Sequence, residues 1–134
     1  IGMKDSTGNL WNNFKAENFS MFVGSEKKLI DNLKIGGAGV ISATTNFSGS
    51  LAKKVYDDFK KTGSSTEDEK LKDIRSAFDE TGNLITALHT LKSIENKAYA
   101  NLLPPLELLN ENKKDDLIKK LKGLGVLNNK NMAA

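Results

Sequence analysis

The residue in this sequence that is best suited to a catalytic role is Lys4, which lies between a short apolar stretch and a polar turn. Residues 1–3 predict the end of a β-strand, and residues 5–9, Asp-Ser-Thr-Gly-Asn, predict the turn. In parallel α/β barrels the reactive side chains gather at the C-terminal ends of the strands. A lysine in a desolvated pocket there can present a free amine that attacks a carbonyl. A solvated surface lysine is the alternative interpretation of the same position.

Other residue types that could do chemistry are scattered. His89 is the only histidine and lies in a helical apolar stripe, which favours a packing or surface role. The acidic pairs at positions 57–58, 68–69 and 115–116 are adjacent on helices, where neighbouring side chains diverge by about 100° and do not converge on one ion. The chain has no cysteine, which excludes thiolate metal sites and disulfides. We therefore predict no metal site.

Three short apolar runs, beginning near residues 1, 19 and 39, alternate with helical patterns. A short helix is predicted over residues 10–16, and residues 19–23 predict a strand that stops at Gly24. Ser25 is a good N-cap for the next helix, and residues 39–43 predict a third strand. Strands that alternate with helices favour a parallel sheet, so the fold class is α/β. Three such strands leave unpaired edges, so we expect further strands from sequence outside this chain or from a partner chain.

Residues 64–134 carry only helical patterns. Apolar side chains recur with helical spacing in three stretches, 71–78, 84–98 and 117–124. The sequence Thr-Gly-Asn at positions 81–83 predicts a break between the first two stretches. We therefore expect a helical segment that is distinct from the α/β residues 1–63.

Composition excludes several functional classes. The 134 residues include 20 basic and 17 acidic ones, which are interleaved and leave a net charge of +3. Nucleic-acid-binding proteins usually cluster basic residues on one face, and arginine is prominent among them, whereas here Arg75 is the only arginine. No apolar run approaches the ~18 residues of a membrane span, and no signal peptide is visible. We expect neither a nucleic-acid partner nor a membrane span, and the lack of cysteine fits a reducing compartment.

The first eight residues, Ile-Gly-Met-Lys-Asp-Ser-Thr-Gly, resemble the Schiff-base lysine motif of the pyruvate-dependent class I aldolases. This superfamily includes dihydrodipicolinate synthase, N-acetylneuraminate lyase and 2-keto-3-deoxygluconate aldolase. Residues 22–26 resemble the turn after the seventh strand of the family's TIM (β/α)8 barrel, and residues 33–46 resemble the eighth strand. The resemblance implies that residues 1–63 form roughly strands six to eight and that residues 64–134 form a C-terminal helical extension. A whole barrel takes about 250 residues, so we expect an N-terminal half of the barrel outside this chain.

The resemblance also implies roles for individual residues. Lys4 would form an imine with the keto carbon of pyruvate or its adduct, and the imine would act as an electron sink while a carbon–carbon bond breaks or forms. Gly24 would line the pocket where a side chain would clash with substrate. Ile41 and Ala43 would line the opposite wall, with Ile41 contributing its backbone carbonyl.

Ser25 and Glu26 occupy positions that contact the aldehyde portion of the substrate in some family members. The structural alternative for both is strong. Ser25 is a helix N-cap, and Glu26 is an acid in the first turn, where the helix dipole favours it.

The chain departs from the family's pattern in three places. The tyrosine that shuttles a proton and the glycine- and threonine-rich turn that holds the pyruvate carboxylate have no counterpart here, since both belong to the N-terminal half. The sequence Leu-Leu-Pro-Pro at positions 102–105 replaces an Arg-x-Pro pattern whose arginine is prominent in dihydrodipicolinate synthases. The substitution favours a 2-keto-3-deoxy sugar acid as substrate, as in archaeal 2-keto-3-deoxygluconate aldolases.

The resemblance implies a cytoplasmic homotetramer whose ligands are a keto acid and an aldehyde, with no cofactor beyond the lysine imine. Three alternatives stay open. The chain could belong to a dihydrodipicolinate synthase, which joins pyruvate to aspartate semialdehyde, or to a non-catalytic member that binds keto acids. Residues 64–134 could also be a helical interaction module. The identity, stereochemistry and phosphorylation of the aldehyde do not follow from the sequence.

Overall fold

A computed structural model describes residues 1–13 and 16–127, which contain three strands and five α-helices. The strands are β1 (Gly2–Asp5), β2 (Ser20–Val23) and β3 (Gly39–Val40), and the helices are α1 (Leu29–Lys34), α2 (Thr45–Thr62), α3 (Asp68–Asp79), α4 (Leu84–Glu95) and α5 (Glu111–Gly123). Short 3-10 helices span Glu26–Lys28 and Lys97–Ala100. The chain divides into two compact units, residues 1–75 and residues 76–134.

The three strands form one parallel sheet in the order β1-β2-β3. The predicted parallel sheet is therefore confirmed, although β3 is shorter than the predicted strand 39–43. The helix predicted over residues 10–16 is wrong for residues 10–13, which form a turn. The carboxylate of Asp5 accepts the N–H groups of Leu10 and Trp11 and so fixes this turn. Phe14 and Lys15 lie outside the described residues.

Side-chain alternation gives the sheet two unlike faces. Met21 and Val23 of β2 are buried in a cluster with Trp11, and Met3 packs against it. Among described residues, β1 and β3 each pair with another strand on one side only. A second cluster joins the helices of this unit and consists of Leu29, Ile30, Leu33, Ala52, Val55 and Leu71.

A buried amide from α1 holds two strands together. The side-chain nitrogen of Asn32 donates to the carbonyl of Met21 at 3.2 Å and to the carbonyl of Gly39 at 3.0 Å. Gly37 passes so close that a Cβ built there would lie 2.0 Å from the side-chain oxygen of Asn32. The loop before β3 therefore requires glycine at position 37.

Over the described residues of the second unit, the regular elements are helices, and residues 101–110 form an irregular connection before α5. The side-chain oxygen of Asn83 accepts the N–H groups of Ile85 and Thr86 and caps α4, which confirms the break predicted at residues 81–83. Asn110 caps α5 in the same way through the N–H of Lys113. The buried apolar residues of the second unit include Phe78, Leu88, Leu91, Leu117 and Leu121. The boundary predicted between residues 63 and 64 concerns where a barrel would end, and it stays a prediction.

Over the described part of the chain, no helix combines the length and the apolar character that crossing a membrane requires.

Candidate active site

The candidate lysine lies in β1, one residue before the strand ends. Lys4 is opposite Phe22 of β2, which in turn is opposite Gly39 of β3. Facing residues of parallel strands share a face of the sheet, so these three residues form one row across it. Met3 and Asp5 point to the other face, which packs against the core. The Lys4 side chain is exposed on the face opposite Met3 and Asp5.

The turn after the candidate lysine is held by the next residue, Asp5, whose carboxylate is buried. One oxygen accepts the N–H of Thr7 at 2.8 Å, the Thr7 hydroxyl at 2.7 Å and the N–H of Gly8 at 3.2 Å. The other accepts the N–H groups of Leu10 and Trp11, both at 2.9 Å. The Thr7 hydroxyl, together with these backbone N–H groups, holds the pKa of Asp5 far below its ordinary value of 3.8. An ionised Asp5 therefore organises the backbone directly after the lysine.

Gly24 follows β2 and lies against the same turn. Its N–H donates to the carbonyl of Asp5 at 2.8 Å, which extends the β1–β2 pairing by one residue. A Cβ at position 24 would lie 2.9 Å from the Cα of Ser6 and 3.0 Å from the carbonyl oxygen of Asp5. The glycine predicted to line the pocket is thus required by the close approach of two backbones.

Ser25 is placed as a helix cap. Its hydroxyl accepts the N–H of Lys27 at 3.4 Å at the start of the 3-10 helix. Ser25 also lines a small cavity of about 70 Å³ together with Asp5, Gly24 and Arg75. A larger groove of about 320 Å³ lies between β3 and α2, and Lys4 does not line it.

Ile41 and Ala43 lie in the loop that follows β3. The N–H of Ile41 donates to the carbonyl of Val23 at 3.0 Å, so the chain continues beside β2 for one residue past the strand. Ile41 is 49% exposed and Ala43 is half-buried, whereas Ser42 and Thr44 between and after them are buried. This alternation puts Ile41 and Ala43 on the face that carries Lys4.

Glu26 is fully buried and forms an ion pair that the sequence did not predict. Its Oε2 lies 2.8 Å from Nη1 of Arg75, and it also accepts the hydroxyl of Ser42 at 2.9 Å. The hydroxyl of Thr44 donates to Oε1 of Glu26. Ser25 is therefore a helix cap and Glu26 a first-turn acid, as the structural interpretation expects, but the burial and ion pairing of Glu26 were not expected.

A signal for Arg75 was present in the sequence. Arg75 follows Leu71 by four residues and so lies on the apolar face of α3, where a cation requires a buried partner. It is also the only arginine in a lysine-rich chain, and its planar guanidinium can hold several acceptors that an ammonium cannot. Neither observation identifies the partner, which lies 49 residues away.

The remaining candidates contribute no catalytic cluster. His89 places Nδ1 2.8 Å from the carbonyl oxygen of Tyr99 and packs edge-on against its ring. Within residues 1–13 and 16–127, no three histidine, aspartate or glutamate side chains are grouped so that they could hold a metal ion. Lys4, Ile41 and Ala43 therefore share a face, whereas Ser25 and Glu26 bind within the protein.

The sequence model of the dihydrodipicolinate synthetase family matches residues 1–124. No curated protein sequence is significantly similar to the chain. N-acetylneuraminate lyase from Fusobacterium nucleatum superposes with a TM-score of 0.77 and 18% identity, over 92% of this chain and 45% of its own. Dihydrodipicolinate synthase from Thermotoga maritima gives a TM-score of 0.77 and 20% identity, over 95% and 46%. A prophage protein of the dihydrodipicolinic acid synthase family from E. coli K12, in complex with pyruvate, superposes with a TM-score of 0.70 and 20% identity. The match covers 81% of this chain and 38% of the prophage protein.

The chain thus spans less than half the length of each of these solved structures. At these identities the similarity shows a shared fold, the barrel fold of this family, of which the chain covers a part. Which barrel strands correspond to β1, β2 and β3 stays a prediction.

Proposed function

This chain belongs to the dihydrodipicolinate synthetase family, and on that premise we propose that it supplies the imine-forming lysine of a pyruvate-dependent aldolase. The observation that supports the proposal is the place of Lys4. It lies near the C-terminal end of a parallel strand, in one row with Phe22 and Gly39, on the face opposite the packed core. Active sites of barrel enzymes are built at that end of the strands.

In the proposed reaction the Nζ of Lys4 attacks the keto carbon of the substrate, water is expelled and an iminium forms. In the cleavage direction, the proton-shuttling tyrosine that we assign to the N-terminal half takes the proton of the substrate hydroxyl beyond the breaking bond. The electron pair of the carbon–carbon bond moves toward the iminium nitrogen while the aldehyde departs, which leaves an enamine. The enamine takes up a proton, and hydrolysis then releases pyruvate and restores the lysine. Condensation is the same sequence in reverse.

The described residues of this chain supply the amine and one wall of the site. Ile41 and Ala43 lie on the face of Lys4, and we assign them to the substrate pocket with Gly24. Ser25 directly follows Gly24 at the end of β2, and we assign it as a candidate contact for the aldehyde portion. The proton-shuttling tyrosine and the carboxylate-binding turn of the family are assigned to an N-terminal half of the barrel.

For the substrate we propose a 2-keto-3-deoxy sugar acid such as 2-keto-3-deoxygluconate, split to pyruvate and an aldehyde. The support is the sequence Leu-Leu-Pro-Pro at positions 102–105, where the resemblance expects an Arg-x-Pro pattern in dihydrodipicolinate synthases. The second candidate is dihydrodipicolinate synthase itself, because a solved enzyme of that name superposes as well as the lyase does. Turnover of 2-keto-3-deoxygluconate compared with that of pyruvate plus aspartate semialdehyde distinguishes the two.

The test of the lysine is borohydride trapping with pyruvate in the full-length protein, followed by peptide mapping. Reduction of the imine should leave a pyruvate-sized adduct on Lys4, and Lys4→Ala should abolish it. Lys34→Ala, which removes an exposed amine from α1, is the matched control and should leave trapping unchanged. If pyruvate binds the parent protein but no adduct forms, the protein is a keto-acid binder and the aldolase proposal is wrong.

The cytoplasmic homotetramer, the absence of a cofactor and the barrel half outside this chain remain parts of the proposal. Intact mass measured under native conditions gives the number of subunits. Chelator treatment that leaves turnover unchanged supports catalysis through the lysine imine without a metal.

A further inference from the structure

We propose that Arg75 is a positioning residue for the loops that follow β2 and β3, an inference that rests on the aldolase function proposed above. Its Nη1 donates to the carbonyl of Gly24 at 3.2 Å, to Oε2 of Glu26 at 2.8 Å and to the hydroxyl of Ser42 at 3.2 Å. Gly24 and Glu26 belong to the loop after β2, and Ser42 belongs to the loop after β3. A single guanidinium therefore joins the ends of two strands.

The carboxylate of Glu26 makes the same connection from the other side. It accepts the hydroxyls of Ser42 and Thr44, one on each oxygen, while its own backbone lies in the loop after β2. Glu26 and Thr44 are fully buried, and the Arg75 side chain is 11% exposed. Charge-assisted hydrogen bonds in such surroundings have well-defined geometry, so the two loops are held at a fixed separation.

Arg75 acts on the candidate site through these loops and not on its open face. Ser42 and Thr44 point toward the buried carboxylate, whereas Ile41 and Ala43 alternate with them on the Lys4 face. A displacement of the loop on one face therefore moves the residues on the other face by a similar distance. Because β1 is held separately by its pairing with β2 and by Asp5, the amine of Lys4 should keep its place.

The experiment compares four variants of the full-length protein. Arg75→Met removes the guanidinium and keeps an unbranched side chain, and Arg75→Lys keeps the charge with fewer donor directions. The double variant Arg75→Met with Glu26→Gln leaves neither charge of the pair unbalanced. Lys72→Met is the matched control, since Lys72 lies one turn earlier on α3 and pairs there with Asp68 and Glu69.

We expect Arg75→Met to raise KM for the keto-acid substrate about tenfold, because a wall of the pocket is displaced, while kcat changes much less. The double variant should regain thermal stability relative to Arg75→Met but keep the raised KM, since it still lacks the donor to Gly24. Arg75→Lys should recover part of the KM effect. Amide hydrogen exchange at residues 24–26 and 41–44 should accelerate in Arg75→Met and not in Lys72→Met.

The possible results separate the two proposals. If KM returns to the parent value when the double variant regains its stability, or if Arg75→Met equals Lys72→Met in both KM and exchange, Arg75 only stabilises the fold and the positioning role is wrong. If the parent protein itself forms no trapped adduct on Lys4, the aldolase function fails, and the role of Arg75 at its site fails with it. A trapped parent adduct, together with a KM that is raised in Arg75→Met and stays raised in the double variant, supports both.

Discussion

The strand ends in residues 1–75 and the helices of residues 76–134 use charged side chains in opposite ways. In the first region Asp5 and Glu26 are buried, and each accepts hydrogen bonds from several groups. In the second region Lys120 lies 2.7 Å from Asp116 on the surface of α5, with 36% and 59% of the two side chains exposed. Both regions are rich in charge, but in the first region buried carboxylates fix the backbone at the strand ends.

The difference shows that the location of a charge says more than the number of charges. Interleaved acids and lysines correctly indicate solvated helix faces in a sequence such as that of α5. The same pattern conceals Glu26, whose neighbours Lys27 and Lys28 make it look like another surface acid. Buried charges must be paired, so each one identifies a contact that the fold depends on.

The largest effect should come from Glu26→Gln. The substitution removes the carboxylate charge beside the Arg75 guanidinium, and breaking a buried pair from one side costs about 3–5 kcal/mol in the free energy of unfolding. Urea unfolding of the full-length protein measures the loss. A loss below about 1 kcal/mol, the range of exposed pairs, would remove the contrast between the two regions.

Gly24→Ala should have the next largest effect. The added Cβ would lie 2.9 Å from the Cα of Ser6, so one of the two backbones must shift, at a cost of about 1–3 kcal/mol. Gly123→Ala in α5 is the control from the helical region, because a Cβ there meets nothing within 4 Å. Thermal unfolding of both variants measures the change in melting temperature. A larger decrease in Gly24→Ala is expected, because the backbones are closely spaced at the strand ends. An equal decrease in both variants would contradict this difference between the two regions.

Asp5→Asn should change how stability depends on pH. The pKa of Asp5 is lower in the folded protein than in the unfolded chain, so the unfolded chain binds the proton first as pH falls below about 4. Stability supplied by the Asp5 carboxylate is therefore present above that pH and is lost progressively below it. The urea midpoint of the parent should fall more steeply between pH 5 and about pH 2.5 than that of Asp5→Asn. Parallel curves would show that the turn does not depend on an ionised Asp5.

Asp116→Asn should have the smallest effect. The carboxylate is mostly exposed, and it shares Lys120 with Glu80. Exposed pairs contribute little to stability and are screened by salt. The expected result is a urea midpoint within experimental scatter of the parent, at low and at high salt. A loss comparable to that of Glu26→Gln would show that the helical region also depends on specific charges.

Much of the fold followed from local patterns. An apolar run before a polar turn predicted the position of β1, and an apolar run that stops at Gly24 predicted the position of β2. The sequence at 81–83 predicted the break before α4. The third strand was predicted too long because an apolar run does not reveal that Ser42 and Thr44 turn toward Glu26. The turn after β1 was mistaken for a helix because its N–H groups bind a side chain, Asp5, and not the backbone.

The candidate site was predictable in part because side chains alternate between the two faces of a strand. The period of two in a strand places Lys4 on one face, and the continued alternation places Ile41 and Ala43 there. The connection from Arg75 to Glu26 spans 49 residues and has no local signature, so only the folded chain reveals it. The roles of Lys4, Gly24, Ser25, Ile41 and Ala43 toward a substrate stay predictions until an adduct is trapped.

The closeness of Asn32 and Gly37 limits how this sequence can drift. The amide of Asn32 joins β2 to β3 only while position 37 carries no side chain, because a Cβ would overlap it. In a library randomised at both positions and selected for folded protein, Asn32 should be recovered only with Gly37. Any larger residue at position 37 should occur only with a smaller one at position 32, so the two sites should be inherited as a pair.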